Sequence, residues 1–123
     1  MNCKLLLIDD ELSFTNAISA LLLLHGFDVH VAKNGKEGLL ELKAFKPQIV
    51  ITDILMNEMD GIEFIMKARK IQKEIKIIAI SGGGKSVSGV DYLETAFFFT
   101  ANATILKPFR VTELVAEIMK LLK

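Results

Sequence analysis

The sequence predicts an α/β fold in which helices cover both faces of a parallel sheet. Short β-branched or leucine-rich runs alternate with longer stretches of helical periodicity, and this alternation continues to the last residue. Most of the short runs are almost continuously apolar, which is typical of strands buried on both faces. Short connections between the runs favour a parallel sheet, because right-handed crossovers place each helix against it.

Five strands and five helices are predicted. The strands are expected at residues 4–8, 28–32, 48–52, 76–80 and 103–106. The helices are expected at residues 11–25, 35–45, 61–71, 87–102 and 111–122, of which the fourth is the least regular. Gly26 suits the end of the first helix, because glycine readily adopts the left-handed conformation common at that position.

Length and composition suit a single domain spanning residues 1–123, with 51% hydrophobic residues available for a core. Equal numbers of basic and acidic residues, 15 of each, give no excess positive charge that would favour nucleic acid or an anionic membrane. Cys3 is the only cysteine, which excludes an internal disulfide. Asp9 and Asp10 interrupt the N-terminal apolar stretch before it could form a signal peptide or membrane span, so a cytoplasmic protein is expected.

Residues with useful chemistry follow the carboxyl ends of four predicted strands. In chain order these residues are Asp9 with Asp10, then Asp53, Ser81, and Lys107 with Pro108. Each has an ordinary explanation, such as a helix cap, a solvated lysine or the start of a loop. Ligands of open parallel sheets bind outside the carboxyl ends of the strands, and independent surface positions would seldom supply all of these groups there. Together they predict a functional site.

Converging carboxylates repel one another, so they must either raise a pKa or hold a cation. Mg²⁺ is the expected cation, because it prefers oxygen ligands and commonly combines one or two carboxylates with phosphate oxygens. Asp10 and Asp53 are the preferred ligands, and Asp9 is the next candidate. A carboxylate can also attack a phosphoryl donor, and Lys107 and the Ser81 hydroxyl can assist by contacting the phosphoryl oxygens. The set predicts phosphoryl transfer.

The same residues form recognisable motifs: the Asp9–Asp10 pair, the stretch DILMNEMDG that begins at Asp53, Ser81, and the KPF triplet that begins at Lys107. In order and spacing they resemble the receiver domains of bacterial two-component response regulators, over nearly the whole chain. The resemblance implies a doubly wound, flavodoxin-like fold with five parallel strands in the order 2-1-3-4-5. It also suggests a stand-alone receiver similar to the chemotaxis regulators.

The resemblance implies a role for each matching residue. Asp53 would be the phosphoacceptor, Asp9 and Asp10 the acidic pocket, Ser81 the switch hydroxyl and Lys107 the lysine that contacts the phosphoryl group. The backbone carbonyl of Leu55 would be the third protein ligand to Mg²⁺, and the peptide bond between Lys107 and Pro108 would be cis. The phosphoryl donor would be a phosphohistidine on a sensor histidine kinase or a histidine phosphotransfer protein.

The predicted function is a phosphoacceptor switch in a two-component phosphorelay. It would promote only its own phosphorylation and dephosphorylation, so it is not expected to be an enzyme with a separate substrate. The chain ends at Lys123, directly after the last predicted helix, so its output is expected to be altered binding to a downstream protein.

Several positions depart from the family pattern. Asn57 stands where proline often follows the methionine, which is expected to loosen that loop. Thr104 replaces the usual aromatic residue three positions before the lysine, so a readout by ring rotation is not expected. Ser81 precedes three glycines, Gly82, Gly83 and Gly84, which suit either backbone approach to a phosphate or a flexible connection.

The three consecutive phenylalanines at 97–99 cannot all lie on one stripe of a helix, because neighbouring residues are about 100° apart. If the fourth helix is regular, at least one ring is exposed there and suits a partner protein or a homodimer. Burial in the core is the commoner fate of phenylalanine.

Three other functions are alternatives. The first is a receiver that is never phosphorylated and serves as a constitutive protein-interaction module. The second is a phosphatase that forms an aspartyl-phosphate, but that family needs a second aspartate where Leu55 stands. The third is flavin binding, which is disfavoured because Asp9 and Asp10 occupy the loop that would have to hold a phosphate.

Overall fold

The structure is a computed structural model that describes residues 3–54, 59, 61–81 and 101–123. Its strands are β1 (Lys4–Ile8), β2 (Asp28–Ala32), β3 (Ile49–Asp53), β4 (Lys76–Ser81) and β5 (Ala103–Leu106). Four helices lie in these ranges: α1 (Leu12–Leu24), α2 (Gly35–Phe45), α3 (Gly61–Ile71) and α4 (Val111–Leu121). The additional helix predicted at 87–102 lies, apart from its last two residues, outside the described residues.

The five strands form one sheet in the order β2-β1-β3-β4-β5, and every neighbouring pair is parallel. This confirms the predicted doubly wound order. β1 lies between β2 and β3, so the strand order reverses beside it. In such sheets the crevice at the reversal point, outside the carboxyl ends of the strands, is where ligands bind. The topology therefore places the ends of β1 and β3 at that crevice.

The core has two layers, one on each face of the sheet. Alternate residues of β1 enter different layers, since successive side chains of a strand point to opposite faces. Leu6 and Ile8 pack with residues of α2 and α3, including Leu42 and Phe64. Leu5 and Leu7 pack with residues of α1 and α4, including Leu22 and Leu114. Helices therefore cover both faces, as predicted.

The observed element ends differ slightly from the predicted ones. β3 is shifted by one residue to end at Asp53, because Asp53 still pairs with Ile80 of β4. β4 continues through Ser81, because Ser81 still pairs with Leu106 of β5. α1 begins at Leu12 instead of residue 11, because Glu11 is its N-cap. Gly26 has the expected positive φ, 91°, just beyond that helix.

The outer surface of α1 is unusually apolar. The helix has no charged residue, and four of its leucines are exposed: Leu12 (56%), Leu21 (41%), Leu23 (54%) and Leu24 (82%). Within the described ranges, no helix combines the length and the apolar character that a membrane-spanning segment needs.

Candidate functional site

The candidate site lies where four strands end at one edge of the sheet. Asp9 directly follows β1, Asp53 is the last residue of β3, Ser81 is the last residue of β4 and Lys107 directly follows β5. Carboxylate oxygens of Asp9, Asp10 and Asp53 all lie within 4.8 Å of one another. Asp9 and Asp53 are buried, at 1% and 8% exposure, whereas Asp10 is exposed. The structure thus brings the three predicted carboxylates together.

Lys107 extends its ammonium group into this acidic cluster. Its Nζ lies 3.0 Å from Oδ2 of Asp9 and 3.8 Å from Oδ2 of Asp53. The Lys107 side chain is only 22% exposed, so these charges interact with less screening than an ion pair on the open surface. One lysine offsets only part of the charge of three carboxylates, so the cluster can still attract a further cation.

Both carboxylate oxygens of Asp9 already accept hydrogen bonds. Oδ1 accepts from the backbone amide of Glu11 at 2.9 Å, and Oδ2 accepts from the Lys107 ammonium at 3.0 Å. The backbone amide of Asp9 donates to the carbonyl of Ala32 at 3.2 Å, which continues the pairing of β1 with β2. These contacts hold the Asp9 side chain and α1's first turn in a defined position.

The backbone around Asp53 is equally well fixed. The amide of Ile54 donates to the carbonyl of Ile80 at 3.0 Å, and the amide of Gly61 donates to the carbonyl of Ile54 at 2.7 Å. The Thr52 hydroxyl donates to the carbonyl of Asp53 at 2.9 Å. α3 therefore begins directly against the end of β3 and holds the Asp53 backbone in place.

Ser81 and Lys107 are joined through their backbones. The amide of Lys107 donates a 2.8 Å hydrogen bond to the carbonyl of Ser81, and the Ser81 side chain is buried. The peptide bond between Lys107 and Pro108 is cis, which confirms the expectation. The hydroxyl and the lysine predicted for the site thus come from adjacent strand ends.

Phe14 belongs to the site and was not predicted from the sequence. Its ring centroid lies 4.2 Å from Nζ of Lys107, and it makes an edge-to-face contact with Phe109 at 6.0 Å and 85°. These three residues and Pro108 line an open pocket of about 390 Å³. The available signal was an aromatic residue in the first turn after the acidic pair, but no pattern in the sequence connected it to Lys107.

Several other predicted features lie outside the described residues: the Leu55 carbonyl, Asn57, the glycines at 82–84 and the phenylalanines at 97–99 with their proposed dimer face. Thr104 is described, and it lies half-buried in β5 opposite Ala79 of β4.

The two histidines lie apart from the acidic cluster. His25 lies in the turn after α1, and His30 lies in β2, where its Nδ1 is 2.7 Å from Oε1 of Glu41.

Comparison with known proteins gives the family. The profile of the response regulator receiver domain matches residues 5–119. The chain belongs to the response regulator receiver domain family. This receiver domain has the fold and the acidic cluster that the motifs implied, and receiver domains are the regulatory domains of two-component systems.

Individual relatives agree with this assignment. The receiver domain is 36% identical over 121 residues to the transcriptional regulatory protein CpxR homolog of Haemophilus influenzae, which covers 98% of this chain and 50% of that protein. It is 31% identical over 124 residues to the chemotaxis protein CheY of Thermotoga maritima, which covers 100% of both chains. The chain thus spans about half the length of the transcriptional regulators that it matches.

Solved structures confirm the fold of the receiver domain. A putative response regulator from Chloroflexus aurantiacus superposes with a TM-score of 0.88 at 25% identity, and covers 99% of this chain and 98% of that one. A receiver domain protein from Methanospirillum hungatei superposes with a TM-score of 0.84, also at 25% identity, and covers 98% of this chain and 93% of that one.

Proposed function

We propose that this receiver domain is a phosphorylation switch in which Asp53 accepts a phosphoryl group from a phosphohistidine. The proposal rests on the position of the Lys107 ammonium, which lies 3.0 Å from Asp9 and 3.8 Å from Asp53. A buried carboxylate at a strand end, with a lysine and two further carboxylates beside it, provides a nucleophile and the means to neutralise charge around a phosphoryl group.

The reaction exchanges one bond to phosphorus for another. A carboxylate oxygen of Asp53 forms the new P–O bond as the P–N bond to the donor's imidazole breaks, and the released nitrogen takes up a proton. The Lys107 ammonium compensates negative charge on the phosphoryl oxygens, and the Ser81 hydroxyl donates a hydrogen bond to one of them. Water later hydrolyses the aspartyl-phosphate and restores Asp53. The protein is modified by this cycle and turns over no separate substrate.

The residues of the site fit a Mg²⁺ ion. The available donors are carboxylate oxygens, which Mg²⁺ prefers, and one oxygen from each of the three aspartates lies within 4.8 Å of the others. Asp10 and Asp53 are proposed as ligands, with the Leu55 carbonyl as a third. Asp9 is the next candidate ligand, because each of its oxygens accepts one hydrogen bond and keeps a further lone pair. When bound, Mg²⁺ would supply positive charge that offsets the repulsion among the carboxylates and the phosphoryl group.

The output of the switch is proposed to be a change in protein binding. Ser81 ends β4 and is joined to Lys107 by a backbone hydrogen bond. When the Ser81 hydroxyl turns toward a phosphoryl group on Asp53, it changes the conformation of the chain that follows Ser81. The donor is a sensor histidine kinase or a histidine phosphotransfer protein, and the recipient of the signal is a downstream protein.

Phosphorylation with a small donor tests the acceptor. The protein is incubated with Mg²⁺ and acetyl phosphate, and we expect a mass increase of one phosphoryl group in an adduct that is stable in acid and labile in base. Asp53→Asn should abolish the adduct. Asp28→Asn is the matched control, because Asp28 is exposed at the amino end of β2, and it should leave the adduct unchanged. Absence of any adduct in the wild-type protein would favour a constitutive interaction module.

A pull-down tests the output. The protein is offered to a lysate with Mg²⁺ and beryllofluoride, which imitates a phosphoryl group, and separately without beryllofluoride. A partner retained in only one of the two conditions is the expected result. Asp53→Asn should bind the same proteins in both conditions, whereas a set of partners that does not respond to beryllofluoride in the wild-type protein would contradict a switch.

A further inference from the structure

The Lys107 ammonium has an aromatic neighbour in addition to its carboxylate neighbours. Nζ lies 4.2 Å from the ring centroid of Phe14, well inside the range of about 6 Å within which a cation is attracted to an aromatic face. The Lys107 side chain is mostly withdrawn from solvent, which strengthens this attraction. The ring is therefore part of the environment that determines where the ammonium lies.

An aromatic face can guide the ammonium without using its hydrogen-bond donors. Lysine has a flexible four-carbon stem and three donors, and fixing such a side chain costs conformational entropy. Asp9 holds Nζ at 3.0 Å, while Asp53 is still 3.8 Å away. Because attraction to a ring face is less directional than a hydrogen bond, Nζ can move from Asp9 toward Asp53 while remaining over the ring.

Phe14 is itself held in place by its neighbours. It lies in the first turn of α1, and the Asp9 carboxylate accepts from the amide of the N-cap residue of that helix, Glu11. Its ring meets Phe109 edge to face, and both rings pack against the core layer that lies under α1 and α4. The backbone that positions Asp9 thus also positions the ring.

We infer that Phe14 is a positioning residue that keeps the Lys107 ammonium within reach of Asp53 through the face of its ring. The inference rests on the proposed function, because it assigns Phe14 a part in the phosphorylation of Asp53. Phe14 does not contact the phosphoryl group and acts only through Lys107. The property that matters is an aromatic face at this position, beyond the apolar volume that any large side chain would supply.

Two substitutions separate the aromatic face from the apolar volume. Phe14→Leu keeps an apolar side chain and removes the ring, whereas Phe14→Tyr keeps the ring face. With acetyl phosphate and saturating Mg²⁺, we expect the rate of phosphorylation at Asp53 to fall about fivefold in Phe14→Leu and to stay within about twofold of wild type in Phe14→Tyr.

A spectroscopic measurement needs neither metal nor phosphodonor. Protons above an aromatic ring are shifted upfield by its ring current, so the ε-methylene protons of Lys107 should resonate upfield of those of the other lysines. The Lys107 signal is assigned by its loss in Lys107→Met. We expect the upfield shift in the wild-type protein and in Phe14→Tyr, and its loss in Phe14→Leu.

The outcomes separate this inference from the proposed function. A wild-type protein without the upfield shift would overturn the role of Phe14, even if Phe14→Leu failed to fold. Equal phosphorylation rates in Phe14→Leu and the wild type would also overturn this role. So would an equal loss of phosphorylation rate in Phe14→Leu and Phe14→Tyr. If the wild-type protein formed no adduct, the proposed function would fail and the inferred role of Phe14 in phosphorylation would fail with it. A retained upfield shift would then show only where the ammonium lies.

Discussion

A Cβ atom built on Gly61 would lie 2.3 Å from the carbonyl oxygen of Asp53 and 2.6 Å from the Cα of Ile54. Both contacts are with backbone, so they cannot be relieved by rotating a side chain. The start of α3 can approach the strand that carries the proposed phosphoacceptor only because residue 61 has no side chain.

Gly61→Ala should therefore disturb both stability and phosphorylation. Separating α3 from β3 is expected to cost about 1–3 kcal/mol of unfolding free energy, as overpacking usually does, and to slow adduct formation at Asp53. Urea denaturation and the acetyl phosphate assay measure the two effects. Gly35→Ala is the matched control at the start of α2, where the new Cβ meets the flexible Met59 side chain instead. If Gly61→Ala and Gly35→Ala lost equal amounts of unfolding free energy and phosphorylation rate, the contact of the new Cβ with the backbone would not be the cause.

Lys107→Met should destabilise the metal-free protein. It leaves the buried carboxylate of Asp9 without its nearest cation, which is expected to lower the unfolding free energy by about 1–3 kcal/mol after allowance for partial exposure. The control is Lys120→Met. The Lys120 side chain is 71% exposed and its Nζ lies 3.1 Å from Oε2 of Glu117, so its removal should change the unfolding free energy by less than about 0.5 kcal/mol. Chemical denaturation in a chelating buffer gives both values. A similar loss in the two variants would refute the special role of Lys107.

Mg²⁺ should raise the melting temperature of the wild-type protein. A ligand at 100 times its dissociation constant stabilises the folded state by about 2.7 kcal/mol if it does not bind the unfolded chain. Asp53→Asn should melt at a higher temperature than wild type without Mg²⁺, since one of three repelling charges is gone, and should gain less from Mg²⁺. Scanning calorimetry at constant ionic strength, with Na⁺ replacing Mg²⁺, provides the comparison. An equal gain from Na⁺ would contradict a specific site.

Arg69 should stabilise the end of the molecule opposite the acidic cluster. Its guanidinium donates to the carbonyl of Ile75 and, at 2.7 Å, to Oδ1 of Asn102, which also accepts from the amide of Ile77 at 2.8 Å. Burial lowers the pKa of Arg69, while the negative charge of Glu74 acts in the opposite direction. Arginine nevertheless stays protonated at neutral pH.

Arg69→Met should therefore lower the unfolding free energy by about 1–3 kcal/mol, because it leaves acceptors directly before β4 and β5 without a charged donor. Lys70→Met is the control, because Lys70 is the exposed neighbour of Arg69. It should have little effect on the unfolding free energy. Both variants are compared by urea denaturation. If Arg69→Met were as stable as the wild-type protein, the hydrogen bonds of Arg69 would make no net contribution to the unfolding free energy.

Cys3 should be protected from thiol reagents in the folded protein. Its side chain is buried, and burial raises the pKa of the thiol above its ordinary value. The folded state therefore retains this proton to higher pH than the unfolded state. The contribution to stability is constant below the pKa of the unfolded thiol and declines as pH rises above it. Reaction with an aromatic disulfide at pH 8 should be slow in buffer and fast in urea. Fast reaction in buffer would show that the chain directly before β1 opens readily.

The sequence predicted the strands well because most of their information is local. β1, β2 and β5 have the predicted bounds, since β1 and β5 are short, mainly apolar runs, β2 alternates polar and apolar residues, and polar or turn residues follow each strand. The end of β3 at Asp53 depends on pairing with Ile80 in the neighbouring strand, which hydropathy does not contain. Strand register therefore explains the residues by which the predicted and observed ends differ.

The site was predicted in part for a related reason. Parallel strands bring their carboxyl ends to one edge, so the positions of Asp9, Asp53 and Lys107 followed from the order of elements. The contact between Phe14 and Lys107 joins residues that are far apart in the sequence and produces no periodic or spacing signal. The same applies to the hydrogen bond between Arg69 and Asn102.

The uncharged outer surface of α1 also affects how the protein behaves in concentrated solution. At pH 7 the formal net charge is zero, so the molecules have little long-range repulsion to keep the exposed leucines of neighbouring copies apart. Stocks near neutral pH should scatter more light than stocks at pH 9. A single charge on this helix, such as Leu24→Lys, should raise the solubility limit without altering the acidic cluster.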